Sequence, residues 1–421
     1  MILPEARFEK KLSTGDPVML GIKQKFILFK SILLLVLSCL LFTTPSFAKG
    51  KVTIKPHLDF SWQMDSNYHK SAAAKKEVYT YSVKPGLEAG YKTDKTTLTF
   101  YYAIDVLRYH DQDTIPAGSI KADDHDYAAH NGILSLQSQV TDRLLVGVED
   151  QYLKTRDPAN ADTSNNAVDR FKYTINSFSP MLLYTFGDKF GVGLKYTNFD
   201  TSYDRRSEGE DSNENRGTFD FYYYLNELTS FDLNYQIWNR DYDGTTSDYD
   251  SHQVMLNINH QFNYFIFSAG AGYHTRKFDK NTHKDIDSPS WQASILGQNP
   301  PDAQGIPKSS LLVAVSQNFN NSGSGETYYT TTSLNARFTW LFYERVNFTF
   351  DGYFQNADYE TGPRNDDTWK ISAALDWLIT DFVSLGVEGG LEERDSNQAG
   401  RDYENDYFML NLELNYDFAS R

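Results

Sequence analysis

The chain has 421 residues, of which 15% are aromatic, and its formal net charge is −16 at pH 7. This acidity argues against a broad basic face, so no nucleic-acid partner is predicted. After residue 48 there is no apolar run of about 20 residues, which excludes a polytopic helical membrane protein.

A secretory signal is predicted at the N terminus. Three lysines precede a short apolar run, and small residues suited to signal peptidase follow it: Lys23, Lys25, Lys30, residues 31–42 and Ser46-Phe47-Ala48. We therefore predict a leader and signal peptide over residues 1–48. A membrane anchor is the alternative, but the run is short for a span of about 20 residues.

The only cysteine, Cys39, lies inside this leader. The remaining chain is therefore predicted to have neither a disulfide nor a thiolate site. Residues 1–48 carry six bases and three acids, so residues 49–421 have a formal charge of −19.

Apolar and polar residues alternate most clearly between residues 218 and 278. The first two apolar runs are Phe219, Phe221, Tyr223, Leu225 and Phe231, Leu233, Tyr235, Ile237. Alternation with a period of two predicts strands with one apolar and one polar face. Short turns and one long acidic loop join these strands in turn. This order is typical of a transmembrane antiparallel up-and-down β-barrel.

The same hairpin unit repeats nine times between Val52 and Phe418. The fold predicted for residues 49–421 is therefore all-β, a single outer-membrane barrel of about 18 strands. An even number of strands permits the sheet to close, which leaves no edge in lipid. One connection, Pro300 to Pro307, is long where a short turn is expected. It is either a docking segment for a periplasmic partner or a tolerated insertion.

The last strand alternates without a fault from Phe408 to Phe418. It resembles the C-terminal signal read by the outer-membrane assembly machinery, with three residues as the expected signal: Leu414, Tyr416 and Phe418. An ordinary strand of a soluble sandwich is the alternative. That alternative does not explain alternation in all the other strands.

If the apolar phase of each strand faces lipid, the other phase lines a lumen. Ten charged side chains are the candidate pore-lining residues: Glu88, Asp105, Glu149, Asp220, Asp232, Arg337, Asp351, Asp376, Glu388 and Glu413. Lys84, Lys195 and Lys370 share their phase. This excess of acids predicts a lumen that favours cations or neutral polyols over anions. Tyrosines in the same phase suit sugars or are simple filler: Tyr222, Tyr224 and Tyr353.

An enzyme is the rival class, because outer-membrane barrels include lipases and proteases. Two histidine pairs lie near acids: His252 and His260 with Asp250, and His125 and His130 with Asp126. They could polarise water or a hydroxyl, but no nucleophile motif accompanies them. Acidic loop clusters could hold Ca²⁺, although spaced ligands are missing: Asp123-Asp124 and Glu208-Gly209-Glu210-Asp211. We predict no catalytic residue, no cofactor and no metal.

Several outward strands end in similar sequences, namely residues 196–204, 235–243 and 353–360. Two earlier segments, residues 65–68 and 83–87, add to the pattern. In these segments the chain resembles β-barrel porin family 2. The resemblance implies an outer-membrane barrel similar to those encoded in exopolysaccharide export loci of Gram-negative bacteria. The family has no established catalytic residues to carry over.

The expected function is a passive channel in the Gram-negative outer membrane that exports an exopolysaccharide. The alternatives are a general diffusion porin for small solutes and a structural or adhesive barrel. Expected partners are outer-membrane lipid and lipopolysaccharide, the barrel assembly machinery and polysaccharide-export proteins.

Overall fold

The computed structural model describes residues 50–73, 75–114, 121–160, 170–205, 209–280, 284–300, 307–320, 328–360 and 362–418. The predicted signal peptide and most of the Pro300 to Pro307 connection lie outside these ranges. Within them no helix is both long and apolar enough to cross a bilayer. The helices there are two single 3₁₀ turns, Ala122–His125 and Pro158–Asn160.

The described residues form eighteen strands. They are β1 Lys51–Asp65, β2 Val78–Lys92, β3 Thr96–Asp111, β4 Tyr127–Thr141, β5 Leu144–Thr155, β6 Tyr173–Phe186, β7 Phe190–Tyr203, β8 Ser212–Tyr224, β9 Thr229–Tyr242, β10 Tyr249–Gln261, β11 Phe265–Phe278, β12 Ile286–Gln298, β13 Ser309–Phe319, β14 Tyr329–Phe342, β15 Val346–Tyr359, β16 Asn365–Thr380, β17 Val383–Ser396 and β18 Tyr403–Asn415. The predicted number of strands is confirmed.

The sheet is closed and antiparallel throughout. Each strand pairs with its neighbours in sequence, and β1 pairs with both β2 and β18. In the closing pair Asp59 lies opposite Glu413 and Trp62 opposite Leu410. Because every strand has two partners, the sheet has no free edge, as a barrel in lipid requires. We call the two ends of the barrel the turn end and the loop end, after the short and long connections that they carry.

Large apolar side chains cover the outside of the barrel. In β18 Phe408 and Leu410 are exposed, whereas the intervening Tyr407 and Met409 border a cavity inside the barrel. Neighbouring strands repeat this division, with Phe60, Leu385 and Leu391 exposed on the outer face. The apolar phase therefore surrounds the barrel, and the polar phase fills its interior.

Strand ends differ from the sequence expectation in two places. The sequence of residues 203–216 is rich in Asp, Asn, Ser and Gly, which predicts a loop there. β8 nevertheless begins at Ser212, because its polar side chains are paired within the barrel: Arg240 bonds to Ser212 and Glu214. Regular pairing of β18 stops at Asn415, short of Phe418. The chain nevertheless stays on β1, since the amides of Tyr416 and Phe418 donate to the carbonyls of Pro56 and Ile54.

Candidate functional site

The ten predicted pore-lining side chains share one face of the sheet, which we call the lumen face. Directly opposed residues of antiparallel strands point to the same side, so the register carries this face around the whole barrel. Asp105 and Glu388 on it border the interior cavity. The complete set on this face is Glu88, Asp105, Glu149, Asp220, Asp232, Arg337, Asp351, Asp376, Glu388 and Glu413. Their role in permeation stays a prediction.

The predicted acids are concentrated towards the turn end. Eight of the nine lie within five residues of the turn end of their strands, and Asp105 is the exception. Two of the nine pair with bases, Glu88 with Lys55 at 3.3 Å and Asp351 with Arg337 at 2.6 Å. Most of the others are bonded to neutral groups: Asn234 donates to Asp220, Asn257 to Asp232, Tyr407 to Glu388, Ser384 to Glu413 and Ser82 to Asp105. Neutral partners leave the negative charge in place.

Two glycines let lumen side chains lie flat against the wall. A Cβ added at Gly386 would lie 2.5 Å from the Oδ1 atom of Asp376. At Gly390 it would lie 2.5 Å from the ring of Tyr407. Both side chains occupy the space that a larger residue on β17 would take, so they project less into the lumen.

Buried arginines lie at the loop end of the lumen face, although none of them is among the predicted pore-lining residues. Arg240 lies 3.4 Å from Glu214, and Arg394 donates to the hydroxyl of Thr368 at 3.2 Å. The buried ones are Arg240, Arg276 and Arg394, and Arg216 beside them is half-buried. All four positions fall in the polar phase, so the sequence contained a signal for them. Arg240 is thus paired with a buried acid, whereas four of the acids near the turn end have neutral partners.

One of these arginines is enclosed by aromatic rings. The guanidinium of Arg276 lies 3.9 Å from the ring centroid of Tyr249 and 5.0 Å from that of Tyr328. Beside it the rings of His274 and Phe319 stack at 3.7 Å. Arg276 and His274 are fully buried. Cation–π contact of this kind stabilises a desolvated guanidinium, so this side of the barrel interior is packed.

The connection from β1 to β2 folds inward over the lumen. Lys70 forms an ion pair with Glu392 of β17 at 2.6 Å, and both side chains are largely buried. The amide of Asn67 donates to Asn405 of β18 at 2.8 Å. The guanidinium of Arg170 lies 4.1 Å from the ring of Tyr68 and donates to its carbonyl. This connection therefore narrows the loop end.

The histidine pairs do not assemble a catalytic group. His252 is hydrogen-bonded to the hydroxyl of Tyr235, and His130 to that of Tyr102, each at 2.8 Å. His260 is bonded to Thr229. Burial and then the nearby charge of Arg156 lower the pKa of His125 to about 4. A general base works best with a pKa near the working pH, so His125 is poorly suited to that role.

The acidic loop clusters serve as internal anchors where they are described. Glu210 accepts hydrogen bonds from the backbone of Thr245 and Thr246, so it joins two neighbouring loops. The side chain of Asp124 accepts the amide of Lys121. Across the described ranges, no group of three or more His, Cys, Asp or Glu residues is placed to hold a metal ion. Glu208 lies outside these ranges.

The anchor at Glu210 predicts a pH dependence. Burial opposes its charge, but the donors at Thr245 and Thr246 outweigh that effect and hold the pKa of Glu210 below its ordinary value. A depressed pKa stabilises the folded loop above the ordinary pKa of about 4.5 and loses that stabilisation as the pH falls further. Hydrogen-exchange protection at Thr245 and Thr246 should drop on acidification. Glu210→Gln should reduce it at neutral pH, whereas Glu227→Gln in a turn should not.

The three residues of the predicted assembly signal lie at the closing seam. Leu414 is opposite Leu58 of β1 and Val383 of β17. The rings of Tyr416 and Phe418 meet edge to face at 4.8 Å, and Phe418 is exposed. Recognition by the assembly machinery stays a prediction.

The C-terminal part of the barrel sequence is similar to a known protein family. Residues 268–416 match the family model "Putative beta-barrel porin 2". This match confirms, over these residues, the resemblance seen in the sequence. A porin is a transport barrel, so the prediction that this chain is not an enzyme agrees with that description. A search of curated proteins finds no match.

Solved structures share the architecture. The crystal structure of Pseudomonas aeruginosa OccK7 (OpdD) aligns with a TM-score of 0.51 at 10% identity, over 88% of this chain and 100% of that chain. Acinetobacter baumannii OccAB2 aligns with a TM-score of 0.48 at 11% identity, over 89% of this chain and 100% of that one. At such identities the likeness concerns the fold alone. The chain forms a porin-like barrel of the outer-membrane type.

Proposed function

We propose that this chain is a passive channel for small hydrophilic solutes in the outer membrane and that it favours cations over anions. The closed eighteen-stranded sheet carries the proposal, because its apolar side chains face outward and its polar face encloses a cavity. Barrels of this size leave room for an aqueous lumen. Carboxylates with neutral partners near the turn end supply the preference for cations.

Conductance in planar bilayers tests the channel itself. The purified barrel should give steps of current in KCl, and a gradient of KCl should give a reversal potential that indicates preference for K⁺. A barrel that inserts but carries no current would overturn the proposal and favour a structural or adhesive role.

Selectivity should depend on the acids at the turn end. The double substitution Asp376→Asn with Glu413→Gln removes two lumen carboxylates and keeps their shapes. We expect the ratio of K⁺ to Cl⁻ permeability to fall roughly two-fold, because a carboxylate wall repels anions. Asp150→Asn is the control, since Asp150 lies on the outer face of β5 beside lumen-facing Glu149. An equal fall in the permeability ratio of the Asp150→Asn variant would show that the two lumen acids do not determine the selectivity.

Export of an exopolysaccharide is the finer expectation from the sequence, and the comparisons add no support for it. It would require polysaccharide-export proteins as partners. Deleting the gene and measuring surface polysaccharide tests it, and an unchanged level would exclude this use. We also propose that outer-membrane lipid and lipopolysaccharide surround the barrel. The assembly machinery would recognise the C-terminal residues Leu414, Tyr416 and Phe418.

A further inference from the structure

A cavity of about 580 Å³ lies inside the barrel and extends from the middle of the strands to the loop end. Strands β1 to β5 form one side of it and β15 to β18 the other, and Tyr68 and Lys70 of the inward-folded connection border it. Its volume is in the range of small-molecule binding sites. A solute that crosses the lumen on this side meets these walls.

The charges around the cavity nearly cancel. Its lining contains five acids and four bases: Asp65, Asp105, Asp157, Glu388, Glu392, Lys70, Arg170, Lys370 and Arg394. Most are already engaged, as in the 2.6 Å pair of Lys70 with Glu392 and the bond from Asn405 to Asp65. A strongly charged solute therefore meets attraction and repulsion of similar size.

Tyrosines set the chemistry of the wall formed by β16, β17 and β18. The hydroxyl of Tyr407 donates to Glu388 and that of Tyr403 to Glu392, each at 2.7 Å. The ammonium of Lys370 lies 4.9 Å from the ring of Tyr407. The guanidinium of Arg394 lies at the same distance from the ring of Tyr403. Acid, phenol and cation thus repeat as two successive layers along the wall.

Such layers suit a solute that both donates and accepts hydrogen bonds. A hydroxyl group donates to a carboxylate and accepts from an ammonium or guanidinium group. A tyrosine ring also offers an apolar face, which matches the C–H face of a sugar ring. Glu388, Lys370 and Tyr407 present all three kinds of group within one layer.

We propose that this cavity binds an uncharged polyhydroxylated solute, a short oligosaccharide, as it passes through the barrel. The inference rests on the proposed channel function and names a class of its permeants. It places the binding of the oligosaccharide at Tyr407, Glu388 and Lys370. The other candidate among the lumen tyrosines is the pair Tyr222 and Tyr224 on β8, whose rings are nearly parallel.

Maltotriose is the probe, and current through single channels is the first measurement. Maltotriose should reduce the current of the wild-type channel in a saturable way, and sodium gluconate should not. Tyr407→Phe and Glu388→Gln should each raise the half-blocking concentration roughly five- to ten-fold, since each loses one hydrogen bond in the layer. Tyr81→Phe on the outer face of β2 is the matched control and should leave the half-blocking concentration unchanged.

Titration calorimetry with the full chain in detergent gives a second reading that does not depend on current. It should show maltotriose binding to the wild type and weaker binding to Tyr407→Phe. A channel that conducts, but is not blocked by maltotriose and gives no heat of maltotriose binding, would overturn this inference and leave the channel function standing. Loss of conductance with binding retained would overturn the channel function alone. A weakened site in Tyr222→Phe instead of Tyr407→Phe would also overturn the inference, as would blockade by gluconate but not by maltotriose.

Discussion

Replacing Lys70 with methionine should lower the free energy of unfolding by about 3 kcal/mol, because it leaves a buried Glu392 without its base. The side chains of this pair are 19% and 12% exposed, and their charged atoms lie 2.6 Å apart. Urea unfolding of the barrel refolded in vesicles measures the change. Because the pair ties the inward-folded connection to β17, the same substitution should also raise single-channel conductance.

The pair formed by Lys75 and Glu404 provides the control. It has nearly the same length, 2.7 Å, and belongs to the same connection, but its side chains are 48% and 66% exposed. Exposed ion pairs contribute at most about 1 kcal/mol, so Lys75→Met should change stability and conductance little. The double variant Lys70→Met with Glu392→Gln should recover part of the lost stability. Equal losses in the two single variants would contradict the inward-anchored connection.

Two adjacent residues of β18 test which face of the barrel meets lipid. Leu410→Arg places a charge on the outer face, where Leu410 is 42% exposed. An arginine facing the centre of a bilayer costs about 2–4 kcal/mol in a barrel. We therefore expect the free energy of unfolding in vesicles to fall by that amount.

Met409→Arg is the matched substitution, because Met409 borders the interior cavity. An arginine there remains in a polar lumen with Glu388 opposite on β17, so the loss should stay below about 1 kcal/mol. The comparison is best repeated in detergent, where the outer face no longer lies in a bilayer and the difference should shrink. A larger loss at Met409 than at Leu410 would mean that the apolar face does not meet lipid.

Strand number, sheet closure and the division into an apolar and a polar face followed from the sequence. These properties arise from alternation with a period of two. This pattern is local to each strand, so it can be recognised without information on any distant contact. The same periodicity put the ten charged candidates on one face. It also put Arg240, Arg276 and Arg394 on that face. They were not among the predicted pore-lining residues, because an alternating pattern does not show which polar residues are buried.

The tertiary structure alone decided how charge is distributed along the lumen and where the interior cavity lies. Lys70 meets Glu392 across 322 residues of chain, and Arg170 reaches Tyr68 from a distant connection. Contacts of this kind exist because the sheet closes and brings the first and last strands together. A repeating pattern within single strands carries no information about them, so the buried ion pairs at the loop end and the acids with neutral partners at the turn end appear only in the closed barrel.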